Sequence, residues 1–175
     1  PAHNRPFVSV NIAPQQFLQP DFTQSVRRAI ADSGLPPRCL KLEVTEGVAI
    51  IDAARTRAVL EEIRAWGVQT SLDDFGTGYS SLSYLKNLPF DSLKIDRSFT
   101  ASIDDPKSRD IIQTILDLAG KLGLTVVAEG IESSEQDRML QSMGCTFGQG
   151  FHLAPPLEET AAFALAAAEA PTPPA

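Results

Sequence analysis

Short apolar runs and helical stripes alternate along the chain. Six runs, at 7–12, 40–45, 68–72, 92–95, 124–128 and 146–151, are mostly apolar rather than alternating. That pattern predicts parallel strands covered on both faces. Helical spacing fills the intervals. Asp104, Asp105 and Pro106 predict a helix start, after which Ile111, Ile115, Leu118 and Leu122 share one face, and Gly120 and Gly123 mark the end. A helix over 52–66 turns Val59, Leu60, Ile63 and Trp66 inward and stops at Gly67, and another starts at Ser133, which Gln136 completes as a capping box, and stops at Gly144. The last helical stretch is rich in alanine and gives way to a Pro/Ala tail. The expected organisation is one domain over 1–168 and a disordered tail over 169–175. Strand and helix repeated six times predict an α/β fold with a parallel sheet.

Polar residues punctuate these runs at one place. The first run leads to Asn11, the second to Glu43, the third to Asp73 and Asp74, the fourth to Lys94 and the fifth to Glu129, while the sixth meets Gln149 in a Gly-Gln-Gly turn. Any one of these alone reads as a turn or cap residue. Together, in a barrel, they fall at the strand ends where such folds carry their chemistry. Glu43, Asp73, Asp74 and Glu129 repel one another unless a cation, a basic ligand or raised pKa values offset their charge. Neighbouring aspartates on a regular strand point to opposite faces, so Asp73 and Asp74 reach one site only if the strand ends there. The loop 76–81, with glycines at 76 and 78, is the expected break and is expected to be mobile.

Composition narrows the chemistry. The chain has 175 residues, 43% of them hydrophobic, and a net charge of −7, which disfavours a broad face for duplex nucleic acid. Two histidines and two cysteines leave no zinc knuckle and no disulfide framework, so a bound cation should be hard, Mg²⁺ or Mn²⁺ held by oxygen. No apolar run is long enough for membrane insertion, and no GxGxxG motif supports dinucleotide binding. The expected location is the cytoplasm, either free or as the cytoplasmic part of a membrane-anchored protein.

The segment Asp73-Asp74-Phe75-Gly76-Thr77-Gly78-Tyr79-Ser80-Ser81-Leu82 resembles the EAL-domain family of bacterial cyclic di-GMP phosphodiesterases. So do Ser9-Val10-Asn11-Ile12, Leu42-Glu43-Val44-Thr45-Glu46, Leu93-Lys94-Ile95-Asp96, Ala128-Glu129-Gly130-Ile131-Glu132 and Gly148-Gln149-Gly150-Phe151, in the family's order. The resemblance implies a TIM-like (β/α)₈ barrel and metal-dependent hydrolysis of cyclic di-GMP to linear pGpG. It implies two ions, the first held by Asn11, Glu43 and Asp73, the second by Asp73, Asp74 and Glu129. Glu129 is assigned in some accounts as general base instead. Lys94 and Gln149 would orient or polarise the attacking water, Glu46 would anchor the Asp-Phe-Gly loop, and Glu132 would stand behind the ligands. Family members also dimerise and share polypeptides with sensory or cyclase modules.

The family's Glu-Ala-Leu strand has no counterpart in residues 1–10, and about two of eight βα units are not visible. The chain is therefore expected to be a piece of a longer domain, inactive alone or restored only by pairing with another chain. The alternative function is an inactive cyclic di-GMP receptor or protein scaffold, and a third reading is a barrel enzyme for another phosphoester. The intact acidic set favours the phosphodiesterase.

Overall fold

The computed structural model describes residues 6–76, 78 and 82–168. Six parallel strands, β1 (Val8–Ile12), β2 (Leu40–Thr45), β3 (Gln69–Phe75), β4 (Ser92–Ile95), β5 (Thr125–Ala128) and β6 (Phe147–Gly148), pair in sequence order. Helices lie between them: α1 (Pro14–Phe17) and α2 (Phe22–Ser33), α3 (Glu46–Ile51) and α4 (Ala53–Ala65), α5 (Leu82–Asn87), α6 (Arg97–Ala101) and α7 (Pro106–Leu122), and α8 (Ser134–Ser142). The last helix, α9 (Glu159–Ala168), follows β6. The sheet curls, because one cavity of about 980 Å³ is lined both by Ser9 of β1 and by Phe147 of β6. The result is most of a TIM-like barrel. Among the described residues β1 and β6 do not pair, so both edges stand open.

The strands are not apolar on both faces as their composition suggested. Outward residues Leu42, Val44, Leu72, Leu93 and Ile95 are buried with Leu60 and Ile63 of α4 and Ile112, Ile115 and Ala119 of α7. Inward positions of β1 to β4, every second residue, are mostly polar: Ser9, Lys41, Glu43, Ser71, Ser92 and Lys94 line the cavity, which Val127 of β5 and Phe147 of β6 also line. Period-two alternation was present in Leu40-Lys41-Leu42-Glu43, and the polar face is the barrel interior.

Local signals place the helices well. Asp52 caps α4 by accepting from the Arg55 amide at 3.0 Å, and Asp105 caps α7. Ser133 and Gln136 form the reciprocal box at α8, with bonds of 3.2 and 3.1 Å. The buried stripe of α7 differs by one residue from the sequence reading. Ile111 is exposed, whereas Ile112, Ile115 and Ala119 are buried and Leu118 and Leu122 flank them. The small residues Ser108 and Ala119 extend this stripe where the helix crosses the sheet, a contribution that an apolar count overlooks. The tail 169–175 and loop residues 77 and 79–81 lie outside the described residues. No described helix is long and apolar enough to cross a membrane.

Candidate active site

Strand register brings the polar residues to one end of the sheet. Asn11 pairs with Glu43, and Thr45, two residues further along β2, pairs with Asp73, so inward residues near the ends of β1, β2 and β3 lie on neighbouring rungs of the sheet. Across β3 and β4 the register slips: Leu72 pairs with Leu93 and Phe75 with Ile95, which sets Asp73 and Asp74 together opposite Lys94. This is a β-bulge, a feature that re-aims side chains beside functional sites. Asp74 adopts φ 56°, a left-handed conformation that aspartate tolerates better than most residues. The strand therefore does not end at the paired aspartates. It buckles there and continues to Phe75, which is how neighbouring carboxylates reach one site.

Lys94 is the centre of the cluster. Its Nζ lies 2.6 Å from Glu43 Oε2, 2.6 Å from Glu129 Oε1 and 3.2 Å from Asp73 Oδ1, with only 6% of its side chain exposed. Burial opposes the ammonium form, but hydrogen bonds to Glu129 and Glu43 and the nearby Asp73 charge overcome it and hold the lysine pKa well above its ordinary value. Glu129 moves upward, first from burial and then from Asp73 and Glu43, against the pull of Lys94. Asp74 also moves upward, from burial and then from the charges of Asp73 and Asp96. The carboxylates thus carry more negative charge than one lysine offsets.

A divalent ion fits this surplus. Asp73, Asp74 and Glu129 each offer a carboxylate oxygen, and these oxygens lie within 4.8 Å of one another. Oxygen ligands about 2.1 Å from a Mg²⁺ stand at most about 4.2 Å apart, so small side-chain adjustments close the set. The donors are all hard, as Mg²⁺ and Mn²⁺ require.

The other sequence candidates divide. Asn11 is exposed at the end of β1 beside Glu43. Gln149 is exposed and lines the barrel cavity with Glu43 and Lys94; its amide donates to Ala128 O at 2.8 Å and its carbonyl accepts from the Ile131 amide at 3.1 Å. Those bonds need Gly150, where a Cβ would run into the Ile131 backbone. Glu46 opens α3, is 4% exposed, and accepts from the Gly76 amide at 3.4 Å. A Cβ added at Gly78 would stand 3.6 Å from its carboxylate, so Glu46 faces the loop at both glycines. Glu132 is exposed, and its carboxylate makes no described contact with the cluster.

The interior also holds groups that sequence reasoning passed over. Lys41 is buried, its ammonium 4.5 Å from the centre of the Phe7 ring, and burial lowers its pKa. The hydroxyls of Ser71 and Ser92 are buried without a described partner. The alternation in β2 was the signal for Lys41; nothing in the sequence singled out the serines.

Comparison with known proteins bears on the family and the fold. The family model described as EAL domain matches residues 2–156. The bifunctional diguanylate cyclase/cyclic di-GMP phosphodiesterase MucR of Pseudomonas aeruginosa is 44% identical over 151 residues, 86% of this chain and 22% of MucR. The chain thus spans about a fifth of that curated relative. The EAL domain of Mycobacterium smegmatis DcpA superposes with a TM-score of 0.88 at 40% identity, covering 95% of this chain and 75% of that one. Klebsiella pneumoniae BlrP1, solved as a manganese and cyclic di-GMP complex, superposes with a TM-score of 0.76 at 33% identity, covering 83% of this chain and 38% of BlrP1.

Proposed function

This chain belongs to the EAL-domain family, and from that premise we propose that the domain it contributes to is a metal-dependent phosphodiesterase that hydrolyses cyclic di-GMP to linear pGpG. The observation that carries the reading is the bulge in β3, which gathers Asp73 and Asp74 with Glu129 around space for a hard cation. A protein of net charge −7 gains from cations when its ligand carries two phosphates. MucR is named a bifunctional diguanylate cyclase/cyclic di-GMP phosphodiesterase, and BlrP1 was solved as a complex with manganese and cyclic di-GMP; both support the assignment.

Asn11, Glu43 and Asp73 would hold one ion, with Asp73 shared and Asp74 and Glu129 completing a second. When bound, such ions supply hydroxide at neutral pH and neutralise charge growing on the phosphate. The chain's own groups do the remainder. Lys94, buried at the centre, would turn an N–H donor to the oxygen that attacks phosphorus once one of its carboxylate contacts opens. Gln149, fixed by two backbone bonds at the cavity wall, orients the same water. Glu46 ties the loop after β3 to the start of α3. The attacking oxygen bonds to phosphorus, one P–O ester bond breaks, and the departing sugar oxygen takes up a proton. Glu129 serves as ligand, as base, or as both in turn.

The domain works in the cytoplasm, as a homodimer, within a longer polypeptide carrying sensory or cyclase modules. The second reading, a receptor that binds cyclic di-GMP without cutting it, predicts binding and no product. Incubating the full-length protein with cyclic di-GMP and Mn²⁺ and separating products by chromatography decides between them: pGpG supports the enzyme, and intact ligand that co-elutes with protein supports the receptor.

A further inference from the structure

Asp73 and Glu129 belong to two groupings at once. With Glu43 they surround Lys94 Nζ at 3.2, 2.6 and 2.6 Å. With Asp74 they form the oxygen set that fits a divalent ion. An ammonium has three N–H donors, and here it faces three carboxylates. No donor is left over for water or substrate while all three contacts hold.

We infer that Lys94 and a bound divalent ion compete for the carboxylates of Asp73 and Glu129. The ammonium keeps mutually repelling, largely buried carboxylates together while no metal is present. A dication held by the Asp73–Asp74–Glu129 set would draw on the same carboxylates and repel the ammonium beside it. Lys94 would then give up at least one of these two contacts. The released donor becomes free to hold the attacking water or a phosphate oxygen, so metal loading itself arms the lysine. This role rests on the metal reading above and adds to it a competition between the ion and a charge of the chain itself.

The test uses the full-length protein and Mn²⁺ alone, followed by titration calorimetry. Lys94→Met removes the ammonium while keeping much of its bulk, and it should bind Mn²⁺ at least tenfold more tightly than wild type. Its melting temperature should drop in chelator and recover with saturating Mn²⁺, giving a larger metal-induced rise than wild type shows. Unchanged or weaker Mn²⁺ affinity in a folded Lys94→Met or Lys94→Gln protein would overturn the competition. If neither variant folds, wild-type crystals decide: the Lys94 contact to Asp73 or Glu129 should open beyond 4 Å on loading with Mg²⁺, and three retained contacts beside a bound ion would refute the inference. Absence of any Mn²⁺ heat with wild type is a different failure, one of the metal reading itself.

Discussion

Replacing Gly150 with alanine tests how the site holds Gln149. The added Cβ would stand 2.7 Å from the Ile131 carbonyl carbon and closer still to the Ile131 O and N. Carbon–carbon contacts settle near 3.5 Å, so the turn must withdraw by about 1 Å. The neighbours in its way are backbone atoms, which cannot swing aside. A withdrawal of that size breaks the Ile131 amide bond to Gln149 O at 3.1 Å and the His152 amide bond to Ile131 O at 3.0 Å. Two lost bonds at about 1 kcal/mol each, with about 1 kcal/mol of overpacking strain, total about 3 kcal/mol. Gln149 moves with the turn, and a misplacement of about 1 Å lowers turnover by up to about 100-fold. Urea unfolding followed by circular dichroism, run beside a hydrolysis assay on the purified domain, reads both effects. Gly120→Ala is the control, since a Cβ there meets nothing within 4 Å in α7, and it should be neutral or stabilising by about 0.5 kcal/mol. A Gly150→Ala domain within about 0.5 kcal/mol of wild type would refute the reasoning.

Asp73→Asn should weaken Mn²⁺ binding at least tenfold by calorimetry, and unchanged affinity would remove Asp73 from the site. Burial raises the Glu129 and Asp74 pKa values, so each takes up its proton before an unperturbed carboxylate does; Mn²⁺ affinity should therefore fall as pH is lowered from neutral toward the ordinary carboxylate range. A flat profile over that span would contradict the raised values. With metal saturating, Lys94→Ala should slow turnover more than tenfold and change cyclic di-GMP affinity less than threefold; loss of binding with turnover intact would reverse the role. The 175-residue polypeptide prepared alone should associate in light scattering beyond its 18.9 kDa monomer mass, because Val8 and Val10 at one edge and Phe163 of α9 are 50%, 40% and 68% exposed. A stable monomer would show those surfaces to be harmless.

The strands and the longer helices were legible because their signals are local. The bounds of β2 and β4 read from the sequence are those observed, α7 starts at Pro106 and ends before Gly123 but runs through Gly120, and Asp105 and Ser133 cap as their positions suggested, whereas Asp52 caps α4 instead of lying within it. The polar strand ends were equally plain. How they converge was not. The bulge that turns Asp74 toward Asp73 depends on pairing between β3 and β4, and a single strand's sequence carries no register. The inward side of Lys41 was legible in the alternation of β2, but its burial, which depends on curvature of the whole sheet, was not. The exposure of Ile111 came from the angle at which α7 lies on its neighbours, a tertiary property. Short helices such as α3 and α6 escaped notice because their few turns leave no periodic stripe.

The central claim is that carboxylates gathered at the strand ends bind divalent ions that drive cyclic di-GMP hydrolysis. Its most direct test follows pGpG formation by the full-length protein after metal is stripped with chelator and then restored. The account predicts turnover lost on stripping, recovered with Mg²⁺ or Mn²⁺, and not recovered in Asp73→Asn at the same ion concentration. Hydrolysis that persists in the stripped protein, or returns fully in Asp73→Asn, would contradict it.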